Sequence, residues 1–175
     1  MSAAGLAPDP HRQQQQYWIE MMNLKANALY IRFYRDFLGK RVAALGTLKA
    51  IASCGGIAAW AIWKQYAFVW GAIIALSQLA DALKEVFPFT KEHKAAGEHT
   101  ITLDALFIDV QLEWENIFSG QYSDNEIMKR VHQLRKIQHE ALRRNFPDGL
   151  PTDDTLLAHA KQEAEIYFKA VYGVE

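Results

Sequence analysis

A chain of 175 residues with a formal net charge of −1 and a hydrophobic content of 50% holds one domain, or one membrane hairpin with a small appendage, and not two independent folds. Its near-neutral balance argues against wholesale nucleic-acid binding but leaves local basic patches open. The single cysteine, Cys54, excludes an internal disulfide and sits in an apolar segment as a small packing residue.

The start, MSAAGLAPDPHRQQQQ, is rich in proline and polar residues and is expected to be a flexible arm over 1–16. It lacks the short basic stretch, apolar core and small-residue cleavage site of a secretory signal. From Tyr17 onward the apolar positions step by four and three: Tyr17, Met21, Leu24, Ala28, Ile31, then Arg35, Leu38, Val42, Leu45 and Lys49. That is the period of a helix-bundle seam, and it predicts one long amphipathic lead-in helix with Arg35 and Lys49 on its packing stripe.

The lead-in runs into two apolar segments of membrane length, 42–63 and 66–83, separated by Lys64 and Gln65. They predict a two-helix transmembrane hairpin, with the lead-in and hairpin together spanning 17–87. Arg32, Arg35, Lys40 and Arg41 precede the hairpin and Lys84, Lys91 and Lys94 follow it, so the positive-inside rule puts both termini in the cytoplasm. Trp60, Trp63, Tyr66 and Trp70 cluster at the turn, as an interfacial aromatic belt does. Small residues every fourth position, Gly46, Ala50, Cys54 and Ala58, with Gly71 and Ala75 opposite, suit close helix approach in lipid.

Lys49 lies 14 residues before Trp63 and Asp81 lies 15 after Tyr66, so both sit about 21–23 Å from the turn. An isolated charge at mid-membrane costs roughly 2.5–3.5 kcal/mol, which is why such groups pair, snorkel or face a wet path. Lys49 falls on the helix seam, whereas Asp81 is close enough to Lys84 and Glu85 to be only an interfacial charge. Arg35, Lys49, Ser53, Gln78 and Asp81 are the candidates for a pore or gate. The competing reading is the buried helical hairpin of an all-α protein without a membrane.

The remainder, 88–175, is expected to be a small cytosolic helical domain, which makes the whole chain all-α. VFPFTKEHKAAGEHT reads as a break, because of Pro88 and Gly97. A helix over about 101–118 places Leu103, Leu106, Phe107, Val110, Trp114 and Phe118 on one face, and Gly120 ends it. Ser123 and Glu126 form a capping box opening a helix over about 124–145, with Ile127, Val131, Leu134, Ala141 and Leu142 apolar. Thr152 or Asp153 caps a last helix over about 153–172.

No phosphate loop, nucleophile elbow or paired Cys/His spacing occurs, which argues against an enzyme and against a cofactor. The six histidines are scattered, and no metal site is expected. Asp104, Asp109, Glu113 and Glu115 read as a solvated face rather than an acid/base pair. More chemistry resides in KRVHQLRKIQHEALRR, where Lys129, Arg130, Arg135, Lys136, Arg143 and Arg144 stand with Glu140 alone opposing them. Such a helix suits a solvated face, an anionic leaflet, or an anionic nucleotide or oligonucleotide, with Phe146 and Tyr122 near enough in sequence for base stacking.

The lead-in helix, minimal-turn hairpin and helical tail resemble the SLATT-type two-transmembrane effectors of bacterial antiviral defence over about residues 17–87. The tail, with LDALFIDVQLEWENIFSGQYSDNEIMKR and RRNFPDGLP, is similar to a proteobacterial subgroup that includes the transmembrane effectors of Hailong-type systems. The resemblance implies an oligomeric inner-membrane channel, held shut by short DNA oligomers that a partner nucleotidyltransferase makes, and active in growth arrest of infected cells. It is a likeness of architecture and transfers no ligand residue.

The expectation is therefore a homo-oligomeric inner-membrane pore, such as a tetramer, contacting membrane lipid and sensing a nucleotide signal. A single hairpin cannot enclose a channel, so copies must assemble. A membrane-anchored scaffold or adaptor without a pore is the alternative from another class, and an all-α enzyme comes third.

Overall fold

A computed structural model describes residues 11–62, 68, 71, 72, 75, 78 and 89–173; side chains at 48, 49 and 51–62 are outside the description. Four α-helices and no strand occur among the described residues: α1 (Arg12–Ile62), α2 (Phe89–Phe118), α3 (Asp124–Asn145) and α4 (Asp154–Tyr172). The all-α expectation holds. The chain divides into two compact units, 1–33 with 96–175, and 34–95, the boundaries cutting α1 after Phe33 and α2 before Ala96.

Helix α1 starts at Arg12, so residues 12–16, expected in the flexible arm, are helical. Glutamine is a fair helix former and nothing in HRQQQQ breaks the helix. Within the first unit the four-and-three seam packs as its period requires: Tyr17, Met21, Leu24, Ala28 and Ile31 are each at most 1% exposed. These residues close the core with Ala96, Leu103, Phe107, Val110 and Ile117 of α2, Ile127, Val131, Leu134 and Ala141 of α3, and Ala160, Ala164 and Phe168 of α4.

Helix α2 begins a dozen residues earlier than the sequence suggests, running unbroken through Gly97. Ala96, His99, Thr100 and Leu103 continue its buried stripe one turn after another, and that packing outweighs the roughly 1 kcal/mol helix penalty of one glycine. Phe118, expected on the buried face, is 71% exposed, and Ile117 is buried in its place. The helix stops where Gly120 adopts a left-handed φ of 75°. Helix α3 has the expected bounds, and the Glu126 carboxylate accepts from the Ser123 backbone N–H at 2.8 Å and from its hydroxyl at 2.7 Å. These bonds hold the Glu126 carboxyl below its usual range. Asp153, not Thr152, caps α4, accepting from the N–H groups of Thr155 and Leu156, and Gly173 closes it at φ 64°.

In the second unit Leu38 continues the seam at 1% exposure, and the Tyr34 hydroxyl donates to the Glu92 carboxylate at 2.9 Å. The Arg41 guanidinium lies 4.1 Å from the Phe37 ring centroid. The backbone of α1 is helical through Ile62. No helix among the described residues is long and apolar enough to cross a membrane. Of the expected hairpin segments, 42–63 has helical backbone described through Ile62, with the side chains at 48, 49 and 51–62 outside the description, whereas 66–83 is described only at 68, 71, 72, 75 and 78.

Candidate functional site

The basic helix α3 does not present its six cations as one surface. At 100° per residue its buried residues lie on one arc, and the cations divide into flanks and an outer face. Arg130, on one flank, pairs with Glu113 of α2 and lies 3.9 Å from the Tyr122 ring centroid. Arg135, on the other flank, donates through Nε to Glu20 of α1 at 2.9 Å. Both cations tie α3 to its neighbours, and Tyr122 is already stacked by the protein's own guanidinium.

Lys129, Lys136 and Arg143, seven residues apart, form an outer line directly opposite the core, at intervals of about 10.5 Å. All three are exposed, as is Arg144 beside them. Lys136 faces Glu140 at 3.9 Å, a spacing at which surface pairs contribute little. Arg143 and Arg144 also occupy the last turn of α3, where the negative end of the helix dipole favours cations. The cations left facing outward are thus Lys129, Lys136, Arg143 and Arg144. Phe146, named as a stacking residue, is 7% exposed and packs edge-on against His99 at 5.8 Å. It is a core residue.

Beside this face a cleft of about 190 Å³ opens among α1, α2 and α3, lined by Asn27, Tyr30, His99, Gln138 and His139 with apolar neighbours that include Leu142. Two of its polar groups, Tyr30 and His99, are held by hydrogen bonds. The Tyr30 hydroxyl donates to the Pro151 carbonyl at 2.6 Å and accepts from the Asp153 N–H at 3.1 Å. The Asn145 amide donates to His99 Nδ1 at 3.2 Å, if that nitrogen carries the lone pair. Burial lowers the His99 pKa, so the imidazole is neutral near pH 7 and, with Nδ1 engaged by Asn145, has its Nε2–H left as a donor. The volume is below the roughly 300 Å³ of a typical ligand pocket, which leaves room for no more than one end of a ligand of ordinary size.

Sequence reasoning named His99 and His139 only as scattered histidines and passed over Asn27, Tyr30 and Gln138. Gln138 carried a usable signal: it falls in the arc of Ile127, Leu134 and Ala141, and a polar residue on an apolar arc implies a polar partner or a cleft. The carboxylates read as a solvated face are partly engaged. Asp104 accepts from Arg32 at 3.0 Å, and Glu113 accepts from Arg130 and from the Tyr17 hydroxyl, at 2.9 Å for the latter. Among the described residues no group of three or more His, Cys, Asp and Glu could hold a metal ion.

Of the pore or gate candidates, Arg35 is half-buried and donates to the adjacent Asp36 at 2.8 and 3.0 Å. Gln78 is helical and exposed. Lys49 and Ser53 have helical backbone in α1 but their side chains are outside the description, and Asp81 lies wholly outside it. No protein-family model matches the chain, and no curated protein or solved structure matches it either.

Proposed function

We propose that the protein is a homo-oligomeric pore or channel of the bacterial inner membrane, an effector of anti-phage defence gated by an anionic nucleotide or short DNA oligomer. The observation that carries the sensing step is the polar cleft of Asn27, Tyr30, His99, Gln138 and His139 beside the exposed line of Lys129, Lys136 and Arg143. Amide and neutral imidazole groups suit a base edge, and the cations suit its phosphates. His139 joins the two, standing one turn before Arg143 on α3.

The membrane half of the reading rests on the apolar segments 42–63 and 66–83, with both termini cytoplasmic. Assembly has a surface available: Ile101, Ile108 and Leu112 form a row on α2 opposite its buried face and are 71%, 67% and 67% exposed. The ligand would come from a partner nucleotidyltransferase, as in the effectors the chain resembles, and the outcome of opening would be membrane disruption and growth arrest.

Ion flux through liposomes holding the purified chain, with and without short DNA oligomers, tests the pore. Absence of flux under both conditions leaves the alternative, a membrane-anchored scaffold. Binding is tested by Lys129→Glu, Lys136→Glu, Arg143→Glu and Arg144→Glu combined, which spares the internal pairs of Arg130 and Arg135. Oligomer binding is lost and membrane insertion is retained; unchanged affinity rules out this face.

A further inference from the structure

A second concavity, of about 480 Å³, is lined by Trp18, Trp114, Glu115, Phe118, Val171 and Tyr172 and shares no residue with the polar cleft. Its size falls within the range of small-molecule sites, about 300–1,000 Å³. Trp18 is the hinge of its wall, tilted 52° against Trp114 at 4.9 Å and edge-on to Tyr172 at 5.1 Å. Phe118 continues the wall from Trp114 at 6.0 Å, and Phe118 and Val171 form its rim, 71% and 52% exposed.

Two features give this groove a sign. Aromatic faces attract cations, tryptophan most of all, yet the described cation–π contacts lie elsewhere: Lys25 over Phe107 and Tyr167, Arg41 over Phe37 and Phe89, and Arg130 over Tyr122. The rings around the groove have no such cation among the described residues. Glu115, exposed at its edge, is in no ion pair among them, and its charge helps raise the pKa of Tyr172, after burial and the neighbouring Tyr167.

We propose that this groove binds a small organic cation with an alkylated ammonium head. A bare ammonium carries three donors, and the side-chain acceptors here are the Glu115 carboxylate and the Tyr172 hydroxyl, the latter already taking a hydrogen bond from Gln111 at 3.2 Å. An alkylated ammonium has few or no donors, sheds water readily, and matches aromatic walls with one carboxylate. Anions are repelled by Glu115, so the groove and the basic face of α3 select ligands of opposite charge.

The test titrates the full chain with tetramethylammonium, choline and the uncharged carbon isostere 3,3-dimethylbutanol, followed by calorimetry and by tryptophan fluorescence. The two cations saturate at millimolar or lower concentration, and the alcohol binds at least about fivefold more weakly. Glu115→Gln and Phe118→Leu, both at exposed positions, each weaken choline by a similar factor without changing the far-ultraviolet circular dichroism. Equal binding of the alcohol, affinities unchanged in both variants, or no saturation by either cation overturns the proposal.

Discussion

Tyr17→Phe is a small change at the centre of the first unit. Tyr17 is fully buried, and its hydroxyl donates to Glu113 at 2.9 Å, with the Val110 carbonyl at 3.4 Å. A hydrogen bond to a charged group contributes about 1.5–3 kcal/mol. Glu113 keeps Arg130 in the variant, and its side chain is 35% exposed, so water replaces part of the lost contact and the lower figure applies. The expected loss is about 1.5 kcal/mol, or about 3–6 °C in Tm for a chain of this size.

The same residue sets a pH dependence. Burial, and then the Glu113 carboxylate, raise the Tyr17 pKa far above its ordinary value of 10.0. The folded chain therefore keeps this proton after the unfolded chain has lost it. Stabilisation by the neutral phenol is complete below the unfolded pKa and declines above it, by about 1.4 kcal/mol per pH unit. Wild type and Tyr17→Phe, compared by urea unfolding in detergent between pH 8 and 11, should thus converge as pH rises. Tyr172 and the lysines contribute to both proteins alike. A stability difference below about 0.5 kcal/mol at pH 8, or one that stays constant to pH 11, refutes the reasoning.

Asp153→Ala removes both bonds to the first turn of α4 and should cost about 1 kcal/mol, seen as a drop of about 2–4 °C in thermal unfolding. Burial depresses the His99 pKa, so the unfolded chain takes up a proton that the folded chain refuses, and stability falls as pH drops below about 6.5. His99→Gln should flatten that slope between pH 7.5 and 5, and an unchanged slope assigns it elsewhere. Gly120→Ala forces a side chain onto a backbone with φ 75° and should lower stability by about 1 kcal/mol, measured by the same unfolding assay.

Much of the helical plan was legible because its signals are local. The Ser123 and Glu126 pair marked the start of α3, and the four-and-three steps from Tyr17 to Ile31 identified the buried stripe of α1 before any neighbour was known. The start of α2 was misread because Gly97 is a breaker by propensity, and what overrides it is burial of Ala96 and His99, a tertiary effect. Phe118 was assigned to the core because residues 114 and 118 share a helix face, but at the end of α2 the neighbouring helices cover Ile117 instead.

The candidate site follows the same division. Composition and spacing alone determined that α3 is strongly basic and that the chain is all-α, since charge content and apolar period are properties of the segment itself. Which cations remain available was decided by partners distant in sequence: Glu113 takes Arg130, Glu20 takes Arg135, and Lys129, Lys136, Arg143 and Arg144 are left facing outward. The polar cleft and the aromatic groove likewise exist only where separate helices converge. A side chain's type is written in its own codon, but its neighbours across a core depend on packing geometry, which no local pattern carries.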